Sequence, residues 1–190
     1  CDYHLKGKRI LTLTDVAARL GYEVLIPEVV VDEIERQYCV EITNAVDDFK
    51  KSLGKIVDLS LDRIKPPITD DFLEVKCRDF RVEYEAGLAA MKIRTLPYPE
   101  TPPKALVAKE LSQRKPFRDS KKGYRDALIW ETVKGELKRK KGLLGKCQII
   151  FLTENTRDFA EGNGLHPDLI QELIDLGYQD NVIEIRTDCN

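Results

Sequence analysis

Short apolar runs, each too brief for a stable helix, narrow the architectures open to this chain. YEVLIP at 22–27, CQIIFLT at 147–153 and NVIEIRT at 181–187 are flanked by polar turns and carry β-branched residues, so each reads as a strand. In CQIIFLT the apolar positions run on without alternation, as in a strand covered on both faces. Segments with helical spacing separate these runs. Strands that alternate with helices argue for an α/β fold with a central parallel sheet and helices on both faces.

The helical segments can be bounded from their punctuation. KRILTLTDVAARL (8–20) has helical spacing and ends at Gly21. After Pro27 a long periodic stretch, 28–64, predicts a helix with a break near Gly54 and a stop at KPP (65–67). Another helix is expected over 69–91, then an extended piece, KIRTLPY, a proline-rich loop, and a helix in KALVAKELSQR. A basic loop, KPFRDSKKGY, leads into a helix over 123–141. ENTRDFAEGNG reads as a loop and HPDLIQELIDL as a helix. The chain suits one domain, with about 45–113 as a helical elaboration within it. Its opening, CDYHLKGKR, is polar where an α/β domain usually begins with a buried strand, so a first strand is expected to be missing.

Composition then excludes several classes. With 42% hydrophobic and 34% charged residues the chain is globular rather than disordered. No apolar run approaches the roughly 20 residues needed to cross a bilayer and no signal peptide is visible, which gives a cytoplasmic location by default and no membrane partner. The net charge of −2 means that nucleic-acid contact must come from a local patch. Five scattered cysteines without a CxxC pair read as reduced, partly buried thiols, not as a zinc site or disulfide framework. His4 and His166 are too far apart for a histidine metal centre; a turn or capping role suits each. Trp130 reads as core.

In an open parallel sheet, ligands gather at the carboxyl ends of the strands. Three acids fall at such places: Glu33 in the helix after VLIP, Asp126 at the start of the helix after the basic loop, and Asp158 beyond IIFLT, with Asn155 between. Carboxylates and an amide oxygen are hard donors suited to Mg²⁺ or Mn²⁺, ions that can generate hydroxide and stabilise a phosphodiester in flight. Each acid alone also has a plain structural account, since the helix dipole favours acids in first turns and TENTRDF could be an Asx turn. In DEIE, spacing does not choose among Asp32, Glu33 and Glu35.

VLIPEVVVDEIERQY, GYRDALIWETV and IIFLTENTRDFA, in that order, resemble the PIN domain nucleases, and most of all a bacterial branch with GYRDALIWET and TxNTxDF motifs. The resemblance runs over nearly the whole chain. It implies a three-layer α/β/α sandwich and metal-dependent hydrolysis of RNA, or of single-stranded or flapped nucleic acid. Residue by residue it implies catalytic and metal-binding roles for Glu33, Asp126 and Asp158, with Asn155 as a further ligand of Mg²⁺ or Mn²⁺. The family also carries an aspartate at the end of its first strand. DYHLKGKR resembles the segment after that strand, which places the aspartate before Cys1 and makes Asp2 a poor substitute.

Lys115, Arg118, Lys121, Lys122 and Arg125, interrupted in charge only by Asp119, would then hold substrate phosphates without reading sequence. A solvated loop with an ion pair is the bland account of the same residues. KRKK at 138–141 complements a helix C-terminus. Three functional readings follow: a metal-dependent endoribonuclease, toxin-like with an antitoxin partner or engaged in RNA processing; a catalytically inactive PIN-like module that binds RNA or protein; and a phosphoacceptor receiver domain. The receiver reading lacks its acidic pair, its central-strand aspartate and its later lysine.

Overall fold

A computed structural model describes residues 2–60, 68–69, 71–117, 123–140 and 149–187. They divide into two compact units: Cys1–Ile26 with Val30–Arg94, and Pro27–Val29 with Thr95–Asn190.

The first unit is built on helices. α1 (Lys8–Leu20) ends where the sequence predicts: Gly21 takes φ +74°, and the Tyr22 N–H returns to the Ala17 carbonyl at 2.8 Å, the closing bond of a Schellman turn. β1 (Val24–Pro27) leads into α2 (Glu28–Ser60), a single helix of 33 residues. The break expected near Gly54 does not occur. A glycine costs a helix only about 1 kcal/mol, and the ladder on either side carries the backbone through it. The stop expected at 65–67 lies outside the described residues. α3 (Phe72–Ala90) and β2 (Ile93–Leu96) follow, and β1 pairs with β2. The core of this unit is Leu5, Val31, Phe80, Tyr84, Leu88 and Ile93, with the Tyr38 ring stacked on Phe80 at 4.1 Å. Asp2 is local: its carboxylate accepts the N–H groups of Lys6 and Gly7 just ahead of α1.

The second unit carries α4 (Pro103–Leu111), α5 (Tyr124–Lys140), β3 (Ile149–Leu152), α6 (Thr156–Phe159), β4 (Ala160–Glu161), β5 (Gly164–Leu165), α7 (Pro167–Asp175) and β6 (Ile183–Arg186). β3 and β6 pair in parallel, Ile149 opposite Ile183 and Leu152 opposite Arg186, with α7 between them in sequence. Parallel neighbours need such a crossover, and the α/β class read from the sequence stands on this pair. Cys147 and Gln148 of the predicted strand lie outside the described residues. ENTRDFAEGNG is not a plain loop. It forms α6 and a two-residue hairpin, with Gly162 at φ +59° in the turn between Glu161 and Gly164.

α5 buries the stripe Ala127, Trp130, Val133 and Leu137, at the i, i+3, i+6, i+10 spacing of one helix face. Trp130, Val133 and Leu137 join Phe159, Leu165, Leu169, Leu173 and Ile183 in the core. Trp130 is therefore core, as its spacing predicts. His166 is the N-cap of α7, its Nδ1 accepting the Asp168 N–H at 3.2 Å, the local role expected of it. Among the described residues no helix is long and apolar enough to cross a membrane.

The expectation for the cysteines fails as well. Cys39 of α2 and Cys77 of α3 are joined as a disulfide, their Cα atoms 5.4 Å apart, where isolated reduced thiols were expected. Their separation of 38 residues hides the pairing from sequence; two helices packed side by side create it. Cys1, Cys147 and Cys189 lie outside the described residues.

Candidate metal and nucleic-acid site

Asp126 occupies the first turn of α5, next to the fully buried Ala127. The turn that starts this helix is fixed by Gly123. Its φ is +119°, its carbonyl accepts the Ala127 N–H at 2.7 Å, and a Cβ there would come within 2.6 Å of the Pro116 carbonyl oxygen. Only glycine fits so close a backbone approach at such a φ. GYRD is thus a structural sentence: the glycine lets the chain pass Pro116, and Asp126 comes out on the shoulder of the helix, half-buried.

Asn155 meets it. This residue stands at the N-cap of α6, where an asparagine side chain ordinarily accepts a backbone N–H two or three residues on. It makes no such bond. Its Nδ2 instead donates to Asp126 Oδ1 at 2.9 Å, across 29 residues of sequence. The Asn155 N–H donates to Thr153 Oγ1 at 3.0 Å, which fixes the turn after β3. A residue that gives up a local cap for a distant carboxylate is placed by the tertiary structure.

Asp158, in the same short helix, is completely buried. An uncompensated carboxylate would not stay ionised there. Lys115 Nζ lies 3.8 Å from its Oδ1 and donates to the Arg157 carbonyl at 3.1 Å. The Lys115 backbone N–H donates to Asp168 Oδ2 at 3.0 Å. Lys115 therefore faces inward, onto a carboxylate, and this differs from the solvent-facing phosphate contact that its place in a basic run suggests. Asp168 and its link to Lys115 carry no signal in the sequence, because a side-chain bond to a backbone N–H across 53 residues leaves no pattern. Arg125 is exposed on α5. Arg118, Lys121 and Lys122 lie outside the described residues.

Glu33 lies in the first unit, half-buried on α2. Its neighbours are committed elsewhere. Arg81 Nη1 donates to Asp32 and to Glu35 Oε2, the latter at 3.3 Å, and its Nε donates to Glu85. At 100° per residue Asp32 and Glu35 share one side of α2, and Glu33 sits well round from both. Among the acids of DEIE this contrast separates Glu33 from the pair held by Arg81, a distinction that spacing alone leaves open.

The candidate residues of this unit thus form two pairs, Asp126 with Asn155 and Asp158 with Lys115. Among the described residues no group of three or more His, Cys, Asp or Glu side chains stands where it could hold a metal ion. The donors do fit a hard divalent cation in kind. Asp126 offers carboxylate oxygen, and Asn155, with its NH₂ turned to Asp126, keeps its amide oxygen as an acceptor. Mg²⁺ commonly takes one or two such protein oxygens and fills its remaining positions with water.

The parallel β3–β6 pair, with Asn155 just past the end of β3, is the arrangement of α/β folds in which ligands gather at the carboxyl ends of the strands. The chain belongs to the PIN domain family, whose model matches residues 1–159. That span covers the GYRDALIWETV motif and reaches the phenylalanine of TENTRDF. PIN domains are typically nucleases that use divalent metals and engage nucleic acid. No curated protein and no solved structure matches the chain.

Proposed function

We propose that this PIN domain is a metal-dependent endoribonuclease that acts in the cytoplasm, with Asp126 and Asn155 at the centre of its site. The observation that carries this reading is the hydrogen bond between the two, made at the expense of a local cap. Asp126 and Asn155 would hold hydrated Mg²⁺ or Mn²⁺ directly, with Asp158 as the second carboxylate of that unit; for Glu33 the acidic role is the one that the family resemblance implies. The ion, when bound, supplies an activated water and positive charge toward the phosphodiester. Gly123 holds the α5 start in place, and Asn155 orients the Asp126 carboxylate. Arg118, Lys121, Lys122 and Arg125 are assigned to the phosphate backbone of the RNA, while Lys115 stays with Asp158. An antitoxin is the protein partner that a toxin-like role would bring.

Asp126→Asn tests the reading. It preserves shape and removes one charge, so Mn²⁺ affinity and RNA cleavage should both fall by about a hundredfold or more while the circular-dichroism spectrum stays unchanged. Retained cleavage in Asp126→Asn ends this assignment.

One observation favours a second reading, a binding module without catalysis. Lys115 already supplies a positive charge to Asp158. On that reading Mn²⁺ does not bind the wild-type chain in calorimetry, whereas RNA binding persists and weakens with salt.

A further inference from the structure

The Cys39–Cys77 link lies at a boundary within the first unit. On one side packing is dense: Tyr38 stacks on Phe80, Phe80 on Tyr84, and Arg81 binds Asp32 and Glu35. Every buried core residue of the unit's cluster that lies on α2 or α3, namely Val31, Phe80, Tyr84 and Leu88, falls on this side. On the other side α2 continues from Val40 to Ser60 with Val46 buried, while Val40, Phe49, Ile56 and Leu59 stay exposed. A helix arm that buries so little apolar surface opens at low free-energy cost. The covalent link closes that arm at the point where packing gives out.

We propose that Cys39 and Cys77 form a reversible redox staple that controls the order of this distal arm. Both cysteines are half-buried rather than sealed in the core, so small thiols and disulfides can reach them. The Cα separation of 5.4 Å lies inside the range that a disulfide bridges without backbone movement. The oxidant is a low-molecular-weight disulfide. A thiolate of the pair attacks one of its sulfurs and releases one small thiolate. The second cysteine loses its proton, attacks the mixed disulfide and releases the other. The protein gives up two protons and two electrons, and the small disulfide takes them up as two thiols. Closing the loop removes conformational freedom from the open state, so the oxidised arm is held and the reduced arm opens more often.

Full-length chain equilibrated in glutathione buffers of graded oxidation, then alkylated and digested, reports the link directly. A joined Cys39–Cys77 peptide pair should appear on the oxidising side and vanish on the reducing side. Amide hydrogen exchange, followed in parallel, should be about tenfold or more faster in the reduced protein over 40–60 and 71–76, and unchanged over 80–93. Cys39→Ser should exchange like the reduced protein in both buffers. Should that variant not fold, the two buffers applied to the wild-type chain decide alone. Absence of the joined pair under oxidising conditions, or equal exchange in the arm in both states, overturns the proposal. RNA cleavage is not the readout, so the result is independent of the nuclease assignment.

Discussion

Two charge clusters of similar make-up sit in very different surroundings, one in each unit. In the first unit Arg81 gathers Asp32, Glu35 and Glu85 on the flank of α2 and α3, with those carboxylates 35–48% exposed. In the second unit Lys109, Lys134, Glu131 and Glu172 form a closed square between α4, α5 and α7, each side chain only 11–13% exposed. Contacts of 2.6–3.2 Å join its corners; Trp130 Nε1 donates to Glu172 at 2.9 Å and Thr101 Oγ1 to Glu131 at 3.2 Å. The buried square leaves no unpaired charge in a place where water cannot help. The exposed cluster competes with water at every contact. The same residue types therefore make an exacting device in one unit and a permissive one in the other.

The sharpest way to break this contrast is Glu172→Ala. It removes the acceptor shared by Lys109, Lys134 and Trp130 and leaves two buried ammonium groups on the single carboxylate of Glu131, one positive charge in excess, so unfolding free energy should fall by about 3–5 kcal/mol in urea titration. A loss below about 1 kcal/mol would put the square on the same footing as the surface cluster.

A smaller effect lies in pH. Burial pushes the Glu131 pKa up, but Lys134 and Lys109 outweigh it and hold it below its ordinary 4.5. Burial pushes Lys134 down, yet Glu131 and Glu172 outweigh that and hold it above 10.5. A lowered carboxylate pKa gives stability that is present above the unfolded value and lost as pH falls through the folded one. A raised lysine pKa gives stability that is present below the unfolded value and lost as pH rises through the folded one. Melting temperature should therefore decline below pH 4.5 and again above pH 10.5. Glu131→Gln should flatten the acid limb in particular, and an unaltered acid limb in that variant would assign acid sensitivity elsewhere.

Arg81→Met should produce the smallest change. Its partners are solvated, so stability should drop by about 1 kcal/mol or less, with most of that loss erased in 1 M salt. A larger, salt-insensitive loss would mean that Arg81 matters through the packing of its stem beside Phe80 and not through its charge.

Local rules made much of this protein legible. The bounds of α1 were readable because Gly21 terminates it with a left-handed residue, and α5 because its buried stripe repeats at helical spacing. Glu33, Asp158 and Asn155 were readable as candidates because they come after the apolar runs VLIP and IIFLT, and Asp126 because it begins the helix after the basic loop. The continuity of α2 past Gly54 was not readable, since one exposed glycine weakens a helix without ending it. Neither was the hairpin after α6, where two short strands leave almost no periodicity.

Residue type and spacing by themselves determined the alternation of strands and helices, the burial of Trp130, the cap at His166 and the motifs of a PIN domain, because each depends on neighbours within about one turn of chain. Tertiary structure alone decided which side chains meet: Asn155 with Asp126, Lys115 with Asp158, Cys39 with Cys77, and the square around Glu172. The first three span 29, 43 and 38 residues of sequence, and within the square Lys109 reaches Glu172 across 63. A pairing across such a distance depends on how whole elements pack, and no local pattern of residues records it.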